Sequence, residues 1–415
     1  MERIIRIRGL TARLATLLAL ASAVVMLVPS GASAAIQTGN LIVADSGIFG
    51  GTGGLIEVDP GTGARDLVSA NGAPFSDPSA DFAGPENLTW EPDGAEHFAG
   101  VEGFTGDTTG DAILVADPEA GPNASGRIIR VDRETGFRMR VSDNSAPAGG
   151  IAFVDPIDVA VEPDGNIVVA DLSALNGGAL IRVNPTTGVR SLISDNLNPP
   201  GNPQFVNPFG LAIESTGQIL VADSDSGPLI HGVLMRVDPA GGGRTTLADD
   251  TTLGAGDYND PTGLPVDARG IYMSDINAFS GTNGGVFEVN ATSGQTTVIS
   301  QNGNPGGQPN FKNPVDLDVM GSGNLAVVDL DTFSGGVPGI MSVNPTSGDR
   351  DTISSNNSPV GGQSFISPWG IIVAPLELSV QKVATVRVFP GGASPGAQAS
   401  GRRSGTTLVY RLSSA

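Results

Sequence analysis

The sequence repeats a short apolar run that ends in aspartate, and this repeat restricts the chain to a repeat architecture. Each run lies in a constant frame of a proline-led segment, a tight turn, the aspartate-ending segment and two further short apolar segments. Period-two alternation, Val and Ile enrichment and Gly or Pro punctuation predict four short antiparallel strands per unit of about 53 residues. The repeat-terminal aspartates are Asp45, Asp117, Asp171, Asp223, Asp275 and Asp329.

The two ends of the repeat region are incomplete in complementary ways. Residues 39–45 (GNLIVAD) form a second strand without a first strand before it, and residues 367–373 (SPWGIIV) form a first strand without a second after it. Paired by backbone hydrogen bonds, they make one composite unit and leave no open edge. The sequence therefore predicts an all-β fold, a six-bladed β-propeller over residues 38–375, closed by pairing of its N- and C-terminal strands in one composite blade.

Two segments lie outside the repeat. Residues 1–34 have four arginines, an apolar run over 14–28 and a small-residue site at 32–34, which is typical of a secretory signal peptide. An uncleaved membrane anchor is the alternative, but the run has about 15 residues and a span takes about 20. Residues 376–415 form a C-terminal extension with a flexible Gly/Ser/Ala-rich spacer. We expect a secreted protein, extracellular or in the cell envelope.

The net charge disfavours several classes of partner, and the absence of cysteine excludes disulfides and thiol chemistry. The formal net charge is −21, and loss of residues 1–34, with four Arg and one Glu, leaves −24. Such a field repels phosphate backbones and anionic lipid, so we expect no nucleic-acid partner, no membrane insertion after cleavage and a monomer. Cations and basic surfaces are better partners, although acidity also simply keeps an exported protein soluble. With no cysteine, neither a disulfide nor a thiol nucleophile is available.

The loops predict which face of the ring binds a ligand. We call the face where the first strand of each blade begins the upper face. Loops on this face are long and Gly-rich (SALNGGA, NAFSGTNGG), whereas the lower turns are short (EPDG, ESTG) apart from an insertion over about 94–110. Long loops on a rigid ring usually carry recognition. We expect the functional site at the upper mouth of the central channel.

Two residue types recur in every blade. The aromatic residue three positions before each first-strand proline is either a stacking platform or packs between blades, and strict repetition favours packing. The repeat-terminal aspartates are either acidic ligands or caps of nearby turns, and capping is favoured. The aromatic residues are Phe82, Phe153, Phe205, Tyr258, Phe311 and Phe365.

The symmetry is broken two positions after each first-strand proline. Three blades have glycine there, and the other three have Asn87, Asp158 and Asp316. Because the first strand is innermost, these side chains are expected near the channel mouth. With Glu86 they are candidate ligands of Ca²⁺ or another divalent cation, which oxygen ligands suit. The alternative is that Asp at this point is an ordinary loop-to-strand residue, and no cofactor is then expected.

Segments such as PFGLAIESTGQILVAD and PIDVAVEPDGNIVVAD resemble NHL-repeat propellers over about 340 residues. The resemblance implies the fold, but that fold carries binding modules and enzymes alike. Gluconolactonase-like propellers of the regucalcin family ligate a metal through P-N-G and P-D-G segments. In the matching segments of this chain, Phe209, Thr262 and Trp369 occupy the position of the metal ligand. At this position only Glu86 has a side chain that is suited to bind a metal. Streptogramin lyases use a histidine and a metal at the channel mouth.

The two histidines do not predict a shared site. His97 lies in the lower insertion and His231 in an upper loop. Since no residues suit Ser-His-Asp or zinc chemistry, we assign no catalytic residue.

Three functions are compatible with these features. The first is a non-catalytic binding module that presents Phe209, Thr262, Trp369 and His231 on its upper face to a glycan, a peptide or a protein. The second is a metal-dependent hydrolase of the lactonase or esterase type, or a lyase. In that case Asn87, Asp158 and Asp316 would hold Ca²⁺ or Mg²⁺, which would polarise a carbonyl. The third is a purely structural role in the cell envelope.

Overall fold

The structure is a computed structural model. It describes residues 35–375 except 73–77, 176, 228–230, 250, 252–258, 282–283, 307–308, 334–335 and 360. The predicted signal peptide, the C-terminal extension and Tyr258 therefore lie outside the described residues. Within those residues no helix is both long and apolar enough to cross a bilayer.

Six antiparallel sheets form the predicted six-bladed β-propeller, with the first strand of each blade innermost. Blade 1 contains β4–β7, blade 2 β8–β11, blade 3 β12–β15, blade 4 β16–β18, blade 5 β19–β22 and blade 6 β23 with β1–β3. The strands are β1 Leu41–Asp45, β2 Gly54–Val58, β3 Arg65–Ala70, β4 Leu88–Glu91, β5 Ala112–Asp117, β6 Arg127–Asp132, β7 Arg138–Asp143, β8 Pro156–Val161, β9 Ile167–Asp171, β10 Ala179–Val183, β11 Arg190–Asp195, β12 Pro208–Ile213, β13 Ile219–Asp223, β14 Val233–Val237, β15 Arg244–Asp249, β16 Ile271–Asp275, β17 Gly285–Val289, β18 Thr296–Gln301, β19 Pro314–Val319, β20 Leu325–Phe333, β21 Val337–Val343, β22 Arg350–Ser355 and β23 Pro368–Val373. Short helical turns cover Ile48–Gly51, Pro78–Ala80, Gly94–Phe98, Pro122–Ala124 and Ala278–Gly281.

The ring closes as predicted, because β1 pairs with β23. The antiparallel register runs from Leu41 opposite Val373 to Ala44 opposite Gly370. The Asp45 carboxylate adds a second link, since it accepts the backbone N–H groups of Ile366 and Ser367 at 2.8 and 2.9 Å. Backbone pairing thus joins the two ends of the ring in a chain that contains no cysteine.

The hydrophobic core is divided among the six interfaces between blades. Six apolar clusters each combine residues of two neighbouring blades, in the cyclic order 6–1, 1–2, 2–3, 3–4, 4–5 and 5–6. Five of the six second strands are buried along their whole length because both of their faces meet a neighbouring blade. A single blade could not bury these faces alone, so the ring is the folding unit.

The repeated aspartates and aromatic residues hold the loops between blades, as the sequence predicted. Asp171, for example, accepts the backbone N–H groups of Val154 and Asp155 in the loop that leads into blade 2. The five described aromatic residues are buried between blades. All six repeat-terminal aspartates accept backbone N–H groups in the same way.

At five of the six interfaces between blades, an arginine on the fourth strand of one blade binds the preceding blade, and we call this contact the arginine clamp. Arg138 donates to Ala80 O at 3.0 Å, to Ser69 Oγ at 2.7 Å and to Ala70 O at 2.6 Å. Its guanidinium lies 4.5 Å from the centroid of the Phe82 ring, within the range of a cation–π contact. The equivalent pairs are Arg65–Phe365, Arg190–Phe153, Arg244–Phe205 and Arg350–Phe311.

The interface between blades 3 and 4 lacks this clamp. Thr296 stands where the other blades have the arginine, and Ala248 where they have the serine that it binds. Residues 261–266 also depart from the predicted first strand of blade 4. They contact β16 through two isolated bridges, at Pro261 and Val266, and through three further backbone hydrogen bonds, but form no continuous strand. The pairing is interrupted at Pro265, which has no N–H to donate.

We expect blade 4 to open locally before the other blades. Without the clamp, backbone amides of β16 and β18 should exchange with solvent about tenfold or more faster than their equivalents in blade 2, a difference of about 1.4 kcal/mol in opening free energy. Hydrogen exchange followed by mass spectrometry measures this difference. Equal protection of blades 2 and 4 would contradict it.

Candidate functional site

Five inner strands and the segment 264–266 of blade 4 line a central channel of about 270 Å³. Each inner strand is the edge of its sheet, so half of its N–H groups face the channel without a strand partner. The residues with polar groups in this lining are Thr89, Trp90, Asp158, Asp316 and Asp318.

The three channel carboxylates bind these unpaired amides and join neighbouring inner strands. Asp158 accepts the N–H of Val159 and that of Leu211 in the next blade, both at 2.7 Å. Asp316 accepts the N–H of Ile371 in blade 6 at 2.8 Å. Asp318 repeats the arrangement two residues later, with Val319 and Val373 as donors at 2.7 Å. The first role of these carboxylates is therefore structural.

Burial dominates the electrostatics of the channel. It raises the pKa of Asp158 to about 8 and that of Asp318 to about 6, against the opposing effect of the backbone hydrogen bonds. Burial also raises the pKa of Asp316 well above its usual range, and the charge of Asp158 raises it further. Asp158 and Asp316 therefore interact through the channel.

Asn87 is the remaining predicted metal ligand in this layer. The side chain is 7% exposed, and its Oδ1 is buried without a hydrogen-bond partner. This oxygen lies 2.7 Å from the position that a Cβ on Gly370 would take. Glu86 is half-buried beside it. Within the described ranges, no three Asp, Glu or His side chains are arranged to hold a metal ion.

Two aromatic rings meet over the upper mouth of the channel. Phe209 and Trp369 follow the first-strand prolines of blades 3 and 6, which lie opposite each other in the ring. Their ring centroids are 6.3 Å apart and their planes 40° apart, so both rings reach the axis. Trp369 Nε1 donates to Ser367 Oγ at 3.1 Å. Both residues were predicted as ligand contacts, and the structure brings them together.

The other two predicted ligand contacts, Thr262 and His231, do not extend the exposed aromatic surface. The carbonyl oxygen of Thr262 packs against Gly210, the residue after Phe209. Thr262 is buried in blade 4, where its N–H donates to Ser274 O at 2.9 Å, so it offers no exposed surface. His231 is half-buried in an upper loop and interacts electrostatically with Asp260. His97 lies in the lower insertion beside the Glu91–Arg130 ion pair, so the two histidines share no site, as predicted.

Amide–carboxylate pairs lie in the upper loops of blades 3, 4 and 5. Each pair joins the residue before a first-strand proline to the residue two positions after a repeat-terminal aspartate. Burial raises the pKa of Asp260, and the charge of Asp225 raises it further. The pairs are Asn207–Asp225, Asn277–Asp260 and Asn313–Asp331.

The upper face also exposes apolar side chains. Six large apolar side chains are strongly exposed in the described part of the chain, and five of them lie in upper loops. Val154, Val206 and Ile366 each lie two residues before a first-strand proline, Leu197 follows β11 and Phe49 follows β1. The sequence analysis missed all five, although three of them directly follow the repeated aromatic residues.

The fold and the channel define this chain as a six-bladed β-propeller. No family model matches it, and no curated protein matches its sequence. Among solved structures, a gluconolactonase from Xanthomonas campestris is 16% identical, with 58% of this chain and 70% of that chain covered and a TM-score of 0.40.

Two further solved structures show the same level of likeness. A PQQ-bound aldose sugar dehydrogenase from Streptomyces coelicolor is 14% identical, with 75% and 96% covered and a TM-score of 0.45. A streptogramin B lyase is 14% identical, with 64% and 67% covered and a TM-score of 0.40. These neighbours agree with the distant resemblance that the repeats suggested, and they carry no argument about activity.

Proposed function

We propose that this protein is an exported binding module that recognises an extracellular ligand through its upper face. The observation that carries the proposal is the Phe209–Trp369 pair, whose rings meet over the channel mouth. Export is proposed from the leader over residues 1–34. N-terminal sequencing of the mature protein tests it, with Ala35 as the expected first residue.

The aromatic pair departs from the repeat. The position after the first-strand proline holds a different residue in each blade, whereas the packing residues recur. A pair that served only to pack blades would not be restricted to two opposite blades. The six residues at this position are Glu86, Ile157, Phe209, Thr262, Val315 and Trp369.

The pair is well placed to bind a ligand. Both residues belong to inner strands that are paired into their blades, so little ordering entropy is lost when a ligand binds. Half-buried aromatic rings supply a large contact area, and aromatic residues dominate the energy of many interfaces. The amide–carboxylate pairs in the upper loops of blades 3, 4 and 5 offer fixed hydrogen-bond acceptors that can orient a ligand.

Replacing both rings is expected to abolish recognition while the ring stays folded. Peptide and glycan arrays should be probed with the wild-type protein and with a Phe209→Ala/Trp369→Ala variant. We expect ligands of the wild type to bind the variant at least about tenfold more weakly, as for the loss of aromatic anchors elsewhere.

The matched control is Phe104→Ala. Phe104 is a half-buried aromatic residue in the lower insertion, where its ring stacks on that of Phe98 at 4.8 Å. This variant should bind like the wild type. Array ligands that bind the double variant as tightly as the wild type would exclude the upper face as the binding site.

A metal-dependent hydrolase is the second candidate function, and the unpartnered Oδ1 of Asn87 favours it. This oxygen lies in the same layer as Asp158 and Asp316, which line the channel. Calorimetric titration with Ca²⁺ tests the candidate. Heats that disappear in Asn87→Leu would support it, and flat heats for the wild type would exclude it.

A further inference from the structure

We infer that the ligand of the upper face is a peptide segment that carries both basic and apolar side chains. This inference rests on the proposed function and names the class of ligand. It follows from the exposed apolar side chains of the upper loops, from the carboxylates on the same face and from the aromatic pair at the channel mouth.

Apolar side chains flank the aromatic rings. Val206 precedes Phe209 by three residues and is 42% exposed, and Ile366 precedes Trp369 by three residues and is 58% exposed. Each ring therefore has an exposed branched side chain in its own loop, on opposite sides of the ring of blades. Branched aliphatic groups are desolvated by apolar side chains of a partner and offer nothing to sugar hydroxyls.

Phe49 adds a third aromatic ring to this face. It is 44% exposed and has a φ of 54°, in the left-handed region that non-glycine residues seldom adopt. The same left-handed conformation recurs at Leu175 and Phe279, each four residues after its repeat-terminal aspartate, so it is a property of the repeated upper loop. Phe49 lies in the upper loop of blade 6, the blade that also holds Trp369.

The charge of the upper face selects a basic partner. Asp225, Asp260 and Asp331 lie in the loops of three successive blades, and asparagine amides hold their carboxylates. Lys312 is a basic residue of the same face, in the loop before blade 5, but the whole chain has a net charge of −21. This field attracts ammonium and guanidinium groups and repels acidic segments. Carboxylates with a fixed orientation also accept such groups with good geometry.

Calorimetry with matched probes tests the inference. The probes are a capped ten-residue peptide of lysine, leucine and glycine, the same peptide with glutamate in place of lysine, and a neutral glucose oligosaccharide. At about 0.15 M salt, where surface charges beyond about 8 Å are screened, we expect only the lysine peptide to bind. Phe209→Ala/Trp369→Ala should abolish its binding, and Asp225→Asn/Asp331→Asn should weaken it at least tenfold.

A charge-matched variant separates recognition from general attraction. Asp164→Asn/Asp238→Asn removes the same charge from two exposed lower turns and should leave the affinity unchanged. Equal weakening by both pairs would overturn the inference, as would the absence of binding by the lysine peptide. Binding of the oligosaccharide that depends on the aromatic pair would overturn the inference and leave the proposed function standing.

Discussion

Arg138→Ala is expected to lower the free energy of unfolding by about 3–5 kcal/mol, the cost of breaking a buried polar network. The Arg138 side chain is fully buried at the interface between blades 6 and 1. Its loss leaves Ser69 Oγ and the carbonyls of Ala70 and Ala80 without this donor. Each buried group without a partner costs about 1–3 kcal/mol, and the cation–π contact with Phe82 is also lost. Urea denaturation measures the effect.

The control for this prediction is Arg140→Ala, on the same strand. Arg140 is largely outside the interface and its Nη1 lies 3.5 Å from Asp143 Oδ2, so its loss should cost less than about 1 kcal/mol. Arg138→Lys should also destabilise, because an ammonium cannot reproduce the planar fork of donors. Equal losses for Arg138→Ala and Arg140→Ala would show that the clamp does not stabilise the ring.

The stability of the ring is expected to fall as the pH rises from about 4 to about 8, between the unfolded and the folded pKa of Asp158. Burial raises the pKa of Asp158 from 3.8 to about 8, so the folded state binds this proton more tightly than the unfolded state. The stabilisation is complete below the unfolded pKa and is lost as the pH rises through the folded pKa. Each pKa unit corresponds to about 1.4 kcal/mol, so the ionisation of Asp158 alone lowers the free energy of unfolding by an amount on the order of 5 kcal/mol.

Other buried carboxylates act in the same direction. Burial raises the pKa of Asp117 and Asp223 to about 6 and that of Asp275 to about 7, so part of the loss begins below pH 7. Urea midpoints over a pH series measure the trend. Asp158→Asn should flatten it between pH 7 and 9, since the amide does not ionise. If the urea midpoint of Asp158→Asn fell with pH as steeply as that of the wild type in this range, the assignment to Asp158 would be contradicted.

The fold was predictable from the sequence because each blade repeats the same local signals. The apolar runs that end in Asp45 or Asp171 predict strands and their turn caps without knowledge of the neighbours. The closure was predictable as well, since the strand at 39–45 and the strand at 367–373 each lack the partner that the other supplies. Blade 4 departs from the prediction because Pro265 interrupts an otherwise regular repeat.

The candidate site was only partly predictable. Phe209 and Trp369 were identified separately, and their contact across the axis depends on the opposition of blades 3 and 6. Asp318 was missed because its role depends on which amides face the channel, a property of strand pairing. Thr262 was predicted as a ligand contact from its position alone, but it is buried against Ser274. The effect of neighbouring blades on a side chain cannot be read from one repeat.

The fluorescence of Trp369 tests the central claim most directly. The chain has two tryptophans, and the other, Trp90, lines the channel and donates to Val373 O at 2.8 Å. In a Trp90→Phe variant the emission therefore reports on the upper mouth alone. A ligand selected on the arrays is predicted to shift or quench this emission along its binding curve. A ligand that binds without changing it, but changes the emission of a Trp369→Phe variant, would place recognition elsewhere and contradict the claim.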